Sequence, residues 1–202
     1  MFAYIKGKLE MKFQDYIVVE AGGGIGYKIF MSANAMQKIG EVGNEVKIYT
    51  YLRVREDDVS IYGFSSNEEL RMFELLLSVS GIGAKSALTI LSNIAPSKLA
   101  LAVISNDVTT LKALPGIGAK SAARMVLELK DKLKTESSVS TETPVEVEEA
   151  ILEDNKQSEA ISALMVLGYT RKEVEQVFVK IKEKDTLSVE ELIRKALMLL
   201  AR

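Results

Sequence analysis

The sequence contains neither cysteine nor histidine. Without cysteine there is no disulfide and no thiolate metal site. Without histidine the commonest metal ligand is missing, and so is the imidazole base of a Ser–His–Asp arrangement. Carboxylate-only Mg²⁺ sites survive these exclusions, so the odds of an enzyme fall without reaching zero. Tryptophan is absent as well. No apolar run is long enough to span a membrane. The N-terminus lacks a secretory pattern, because Lys6 and Lys8 are followed by Glu10 and Lys12 rather than by an apolar stretch. A soluble cytoplasmic protein is the expectation. At 202 residues the chain has room for more than one domain, and its apolar fraction of 48% allows sizeable cores.

A single excess of charge is also missing, since the formal net charge is only −2. The distribution is uneven, however. Residues 1–63 hold 8 basic and 8 acidic groups, and residues 64–134 hold 9 basic and 6 acidic, a net of +3. Residues 135–154 hold 7 acidic groups and no basic one, and residues 155–202 hold 9 basic and 7 acidic. The acidity is thus concentrated in one short stretch, and the segment before it is positive.

That positive segment contains an exact repeat. Gly81-Ile82-Gly83-Ala84-Lys85-Ser86-Ala87 returns 35 positions later as Gly116-Ile117-Gly118-Ala119-Lys120-Ser121-Ala122. Leu76 and Val79 precede the first copy at the same offsets as Leu111 and Leu114 precede the second. An apolar helix end, a Gly-apolar-Gly turn and a second helix opening with a cation make a helix–hairpin–helix pattern. Glycine at the turn permits backbone angles and close approaches that a Cβ would obstruct. The amides that open the second helix are unpaired and carry the positive end of its dipole, so they suit a phosphate. Lys85 and Lys120 add charge at the two places. Such contacts hold a nucleic-acid backbone without reading its sequence. A lone Gly-x-Gly between helices is more often an ordinary helical hairpin. Two copies with matching flanks and lysines favour paired backbone contacts over structural duplication.

The pattern along the chain is α+β and multidomain. Residues 1–64 read as an OB-like β-barrel of five strands: Phe2–Leu9, Tyr16–Glu20, Ile25–Met31, Glu45–Val54 and Val59–Phe64. Ser32–Ile39 reads as a short helix or turn between strands. Residues 65–134 read as a central helical domain with the two helix–hairpin–helix motifs. It opens with Ser66-x-x-Glu69, which has the form of a capping box, and closes with a helix over about Ala119–Leu133. Residues 135–154, rich in Ser, Thr and Glu, read as a flexible acidic linker. Residues 155–202 read as a three-helix module: Ser158–Leu167 ending at Gly168, about Arg171–Lys184 capped by Thr170, and about Val189–Leu200 capped by Ser188.

One polar turn stands out between the last two strands, Arg53-Val54-Arg55-Glu56-Asp57-Asp58. Three acids at a hairpin tip are usually a solvated turn. In a chain built to hold phosphates, acids can serve to exclude a strand. The fragments Ile5-Lys6-Gly7, Gly23-Gly24-Ile25-Gly26-Tyr27, Val54-Arg55-Glu56-Asp57, Ile61-Tyr62-Gly63-Phe64, both Gly-Ile-Gly turns, Glu128-Leu129-Lys130-Asp131 and Leu167-Gly168-Tyr169 occur in an order and spacing that resembles the RuvA family over the whole chain.

The resemblance implies a Holliday-junction-binding subunit that acts in DNA recombination and repair, including the SOS response to DNA damage. It implies a homotetramer with four-fold symmetry around an open, square junction, and octamers where two tetramers pair face to face. It implies an RuvB-type hexameric ATPase as the motor partner, an RuvC-type resolvase as a further partner, and no cofactor, metal or catalytic residue. It maps an acidic pin onto Glu56 and Asp57. It maps DNA-backbone contacts onto Gly81, Gly83, Lys85, Ser86, Gly116, Gly118, Lys120, Ser121 and Arg124, and the motor-contact neighbourhood onto Leu167, Gly168 and Tyr169. Two departures from the family pattern lie at the second turn. Ala119 stands where a second lysine is frequent, and Ser121-Ala122-Ala123 stands where Thr-Ala-Glu is frequent. Arg124, one helical turn in, is placed to restore charge there.

The competing enzyme reading is a helix–hairpin–helix nuclease, ligase or glycosylase. It lacks a P-loop pattern, cysteine zinc ligands and a clear acidic cluster in the helical segment. A third reading, an OB protein for single strands or RNA, needs exposed aromatics for stacking. The aromatics lie mostly at alternating strand positions, which predicts that they are core.

Overall fold

The computed structural model describes residues 2–138, 151–181, 184 and 187–200. Five strands close into a barrel in the order β1-β2-β3-β5-β4. They are β1 (Tyr4–Lys12), β2 (Tyr16–Ala21), β3 (Ile25–Met31), β4 (Glu45–Val54) and β5 (Val59–Phe64). The first half of β1 pairs with β4 and the second half with β2, with a register shift between Leu9 and Met11. That bulge lets one strand turn the barrel corner and serve two neighbours. A Cβ on Gly7 would overlap the Glu20 carbonyl, so the crossing requires glycine there. A parallel pairing of β3 with β5 closes the barrel. Leu9, Ile17, Val19, Ile29 and Ile48 fill it and are fully buried.

The turn after β3 becomes helix α1 (Ala33–Lys38), capped by the Ser32 hydroxyl, which accepts from the Ala35 amide at 3.1 Å. Helix α2 (Asn67–Leu77) follows the barrel directly. Its Phe73 packs against Tyr51, Tyr62 and Phe64 at ring-centroid distances of 5.4, 5.4 and 4.8 Å. This joins helix to barrel. Only half of the predicted capping box forms. The Ser66 hydroxyl accepts from the Glu69 amide at 3.2 Å, but the Glu69 carboxylate takes Ser65 and Lys38 instead. Lys38 comes from α1, and this tertiary partner outcompetes the local one.

Helices α3 (Ala84–Asn93), α4 (Pro96–Ile104), α5 (Val108–Lys112) and α6 (Ala119–Ser138) complete the central part. Asn106 at φ 54° and the Asp107 cap on Thr110 break α4 from α5. Helix α6 runs beyond the predicted Leu133, because no glycine or proline interrupts residues 134–138. Helices α7 (Ile151–Val166), α8 (Arg171–Phe178) and α9 (Val189–Leu200) follow. Of the stretch read as a linker, residues 139–150 lie outside the described residues. Helix α8 is shorter than expected and ends at Phe178, with Val179 as its C-cap; Thr170 and Glu173 form the full capping box that α2 lacks.

The central and C-terminal helices share one apolar core that runs from Tyr62 to Leu197. Lys130 pairs with Glu190 at 2.9 Å across the two sets. Among the described residues no single helix is long and apolar enough to cross a membrane.

Candidate nucleic-acid interface

The two copies of the heptapeptide fold alike. Gly81 and Gly116 lie in the left-handed region, at φ 88° and 78°. Each turn is closed by an amide three residues after its acceptor, Ile82 to Val79 and Ile117 to Leu114, both at 3.1 Å. Ile82 and Ile117 are equally buried, at 7% exposure. They peg the turns onto Leu76, Ala87, Leu111 and Ala122, which have no exposure. The carbonyls of Gly83 and Gly118 accept the first helical bonds, from Ala87 and Ala122, both at 2.9 Å.

The amides between remain open. Gly83 caps α3 with no side-chain bond, and Ala84, Lys85 and Ser86 have no backbone acceptor among the described residues. Ala119, Lys120 and Ser121 repeat this at α6. Each helix start therefore offers several N–H donors and the positive end of its dipole. Lys85 and Lys120 are exposed and have no acidic partner among the described residues. Ser86 is exposed beside Lys85, and Ser121 is half-buried beside Lys120.

The sequence assigned both jobs, turn geometry and close approach, to every glycine of the motif. The structure divides them. Only Gly81 and Gly116 have the backbone angles that favour glycine. Gly83 is extended, at φ −97° and ψ 173°. A Cβ on Gly83 or Gly118 would meet no atom within 4 Å. The second glycine of each motif is thus required by nothing inside the chain, and both are exposed.

Arg124 does not lie at the second turn. Its guanidinium donates to the Ser80 carbonyl at 3.1 Å, in the first turn. Glu128 accepts from the Ser80 amide at 3.0 Å, and Lys132 donates to the Ser78 carbonyl at 3.1 Å. Helix α6 of the second motif therefore braces the turn of the first. Sequence reasoning placed Arg124 beside the motif that precedes it in the chain; the tertiary contact has no local signal.

Glu56 and Asp57 stand at the tip of the β4–β5 hairpin, exposed and without partners among the described residues. The hairpin is closed by the Arg55 amide on the Asp58 carbonyl at 2.8 Å, and the Asp58 carboxylate accepts from the Ser60 hydroxyl. Val54 and Val59 pair behind the tip and are 67% and 66% exposed. No group of three or more acidic side chains is placed to hold a metal among the described residues.

Leu167, Gly168 and Tyr169 form the corner between α7 and α8, and the corner sits on α2. Leu167 is buried. Gly168 adopts φ 99°, and a Cβ there would stand 2.7 Å from the Glu68 Cα. The Tyr169 hydroxyl donates to Glu68 at 2.5 Å. Burial pushes the Tyr169 hydroxyl far above its ordinary pKa, and the Glu68 carboxylate adds to the effect. Burial raises the Glu68 carboxyl too, partly offset by the Tyr169 hydrogen bond. Val179, Met198 and Leu199 remain exposed on the C-terminal helices and carry no periodic signature that marks them in the sequence.

A closed five-stranded barrel fused to tandem helix–hairpin–helix turns defines an OB-barrel protein with two equivalent helix starts whose leading amides are unpaired. Comparison with known proteins narrows this class. The family model described as RuvA N terminal domain matches residues 1–63, the one described as SAM-like helix-hairpin-helix tandem matches 73–131, and the one described as RuvA, C-terminal domain matches 155–201. Among the similar relatives is the protein of Acetivibrio thermocellus, 49% identical over 203 residues that cover all of both chains. That of Ruminiclostridium cellulolyticum is 50% identical over 200 residues, 98% of each, and that of Clostridium perfringens is 44% identical over 206 residues, all of each. All three carry the name Holliday junction branch migration complex subunit RuvA. The chain belongs to the RuvA family.

Proposed function

We propose that this chain binds four-way junction DNA by its shape, holds the junction open and square, and recruits an RuvB-type hexameric ATPase that drives branch migration. The observation that carries the reading is the pair of equivalent turns, each presenting unpaired amides, an exposed second glycine and an unpaired lysine. Two such grips on one rigid core suit the two phosphate strands flanking a groove, and they carry no base-reading group. The subunit acts as an accessory protein of the motor, without catalysis of its own, in the cytoplasm.

The assembly in this reading is a homotetramer, matching four subunits to four arms, with an octamer where two tetramers enclose the junction and a resolvase of the RuvC type where one face stays open. The Glu56–Asp57 tips meet at the four-fold axis and repel strands from the centre. The chain divides functionally into barrel (1–64), grip (65–134), connector (135–154) and motor-contacting module (155–202). The exposed Val179, Met198 and Leu199 give that module an apolar surface for the motor. The Leu167–Tyr169 corner would reach the motor only after leaving α2.

The test is gel-shift binding to a four-way junction and to a linear duplex of equal composition, at two salt concentrations. A clear preference for the junction, with a steep salt dependence, is expected. Equal affinity for both substrates would defeat the proposal.

A further inference from the structure

On the outer face of β2 and β3, Tyr16 and the neighbouring turn residue Phe13 belong to neither core, while Phe30 packs partly against the helical one. Among the described aromatics only Tyr62, Phe64, Phe73 and Phe178 are buried, contrary to the expectation that most were core. Phe13, 46% exposed, stacks on Tyr16 with ring centroids 4.4 Å apart and planes 23° from parallel. The pair is fixed at the ends of the β1–β2 turn, whose Phe13 amide donates to the Tyr16 carbonyl at 2.9 Å. Tyr16 meets the edge of Phe30 at 6.2 Å, and Phe30 continues to Tyr62 at 5.9 Å. The exposed ring is therefore the end of a rigid aromatic row anchored beneath α2. Lys28 lies over this row, its Nζ 4.3 Å from the Tyr16 centroid and 5.0 Å from that of Phe30. It has no carboxylate partner among the described residues.

We infer that this face is a second nucleic-acid site, distinct from the phosphate turns, which takes unpaired bases of single-stranded DNA. An isolated exposed phenylalanine needs no explanation. A pre-stacked pair with a cation beside it is different, because its rings are held flat and its entropy cost is already met. The strand 2–3 face and the β1–β2 loop are where barrels of this architecture bind oligonucleotides. A base stacks on the open side of Phe13, and Lys28 meets the phosphate that follows it. Stacking of this kind is indifferent to base identity. A second copy of the chain fits less well, since lysine is depleted from the buried centre of protein interfaces. Asp15 in the same turn is the nearby opposing charge, so binding should remain modest. The inference rests on the proposed role only in taking DNA as the polymer, and it shares no residue with the two turns.

The experiment uses the full chain and labelled oligo(dT) of about 16 nucleotides, the upper end of the site size for one such barrel. Anisotropy is read for wild type, Phe13→Ala, Lys28→Ala and the double variant Lys85→Ala/Lys120→Ala, with an abasic oligomer of equal length and a linear duplex as controls. Phe13→Ala should weaken oligo(dT) binding at least about fivefold, the lower end for one stacked base, and leave the abasic oligomer and the duplex unaffected. Lys28→Ala should lower the oligo(dT) salt slope by about 0.7. The double lysine variant should lose duplex affinity while keeping most oligo(dT) affinity, which separates failure of this site from failure of the grip. Undetectable oligo(dT) binding by wild type would overturn the inference, as would an unchanged affinity in Phe13→Ala. A Phe13→Ala chain that folds but changes its mass in light scattering would also overturn it, by making the face a contact between copies.

Discussion

Valine at Gly118 and alanine at Gly116 should have opposite effects, although the two glycines are separated by one residue. Gly116 sits at φ 78°, where an L side chain costs about 1–2 kcal/mol. Gly118 is outside that region, and a Cβ there meets nothing within 4 Å. Valine at 118 should therefore leave stability within about 1 kcal/mol of wild type, with a small gain from the stiffer unfolded chain. Its cost falls on the ligand. A phosphate oxygen must come to roughly 2.9 Å from an amide nitrogen to bond, and the γ-methyls occupy that approach. Loss of one charge-assisted bond costs about 1.5–3 kcal/mol, or about 10- to 150-fold in affinity. Denaturant melts and junction gel shifts on both variants give the comparison. The expected pattern is a stable Gly118→Val that binds weakly, and a Gly116→Ala that melts early but binds well while folded. A folded Gly118→Val with wild-type junction affinity would remove the argument that the open space is a phosphate seat.

Lys85→Ala and Lys120→Ala should each weaken junction binding whatever its sequence and each reduce the salt slope by about 1, read from titrations at several salt concentrations; unchanged slopes would make both lysines plain surface. Glu56→Gln with Asp57→Asn should tighten binding to duplex more than to junction, because the removed charges act on phosphates within a Debye length of about 8–10 Å. The melting temperature should stay put, since exposed hairpin charges carry little stability. Tyr169→Phe should loosen the C-terminal helices from α2 by about 1–2 kcal/mol, measured by amide exchange in α7–α9. The docked tyrosine has a raised pKa, so its contact contributes fully below the ordinary tyrosine value of about 10 and is lost as pH rises above it. The difference between wild type and Tyr169→Phe should accordingly shrink above about pH 10.

The barrel was legible because its strands alternate and glycines separate them: β3, β4 and β5 begin and end where the pattern places them. Strand β1 was displaced by a few residues, since the bulge after Leu9 lets polar Glu10 and Lys12 stay in the ladder. Alternation also left open which face of β4 is core. Val46, Ile48 and Thr50 point inward, while Tyr49 and Tyr51 lie outside and are only partly covered. The outward side of Tyr16 escaped for the same reason, because period-two patterning divides a strand into two faces without saying which one packs, and Phe13 lies in the β1–β2 turn, where no period applies. The two Gly-Ile-Gly turns were legible as a repeated local motif. The seating of Leu167–Tyr169 on α2 was not, because the close approach at Gly168 is made by residues 100 positions earlier in the chain.

The repeat is symmetric in sequence yet not in support, and this bears on how the two turns share a load. The first turn is tied from outside by three side chains of α6: Arg124 and Glu128 on Ser80, and Lys132 on Ser78. The positions 35 residues earlier are Thr89, Asn93 and Ser97. Thr89 and Asn93 bond to carbonyls of their own helix, at Lys85 and Thr89, and reach no neighbouring turn. The second turn is held by its apolar pegs Leu114 and Ile117 and its own backbone. The three bonds couple the turns in both directions: a displacement of the second motif reaches the first turn through α6, and a displacement of the first turn returns by the same bonds, with no second route through α3. Helix α6 thus fixes the spacing of the two turns, and in the proposed role that spacing is what reading DNA by shape requires.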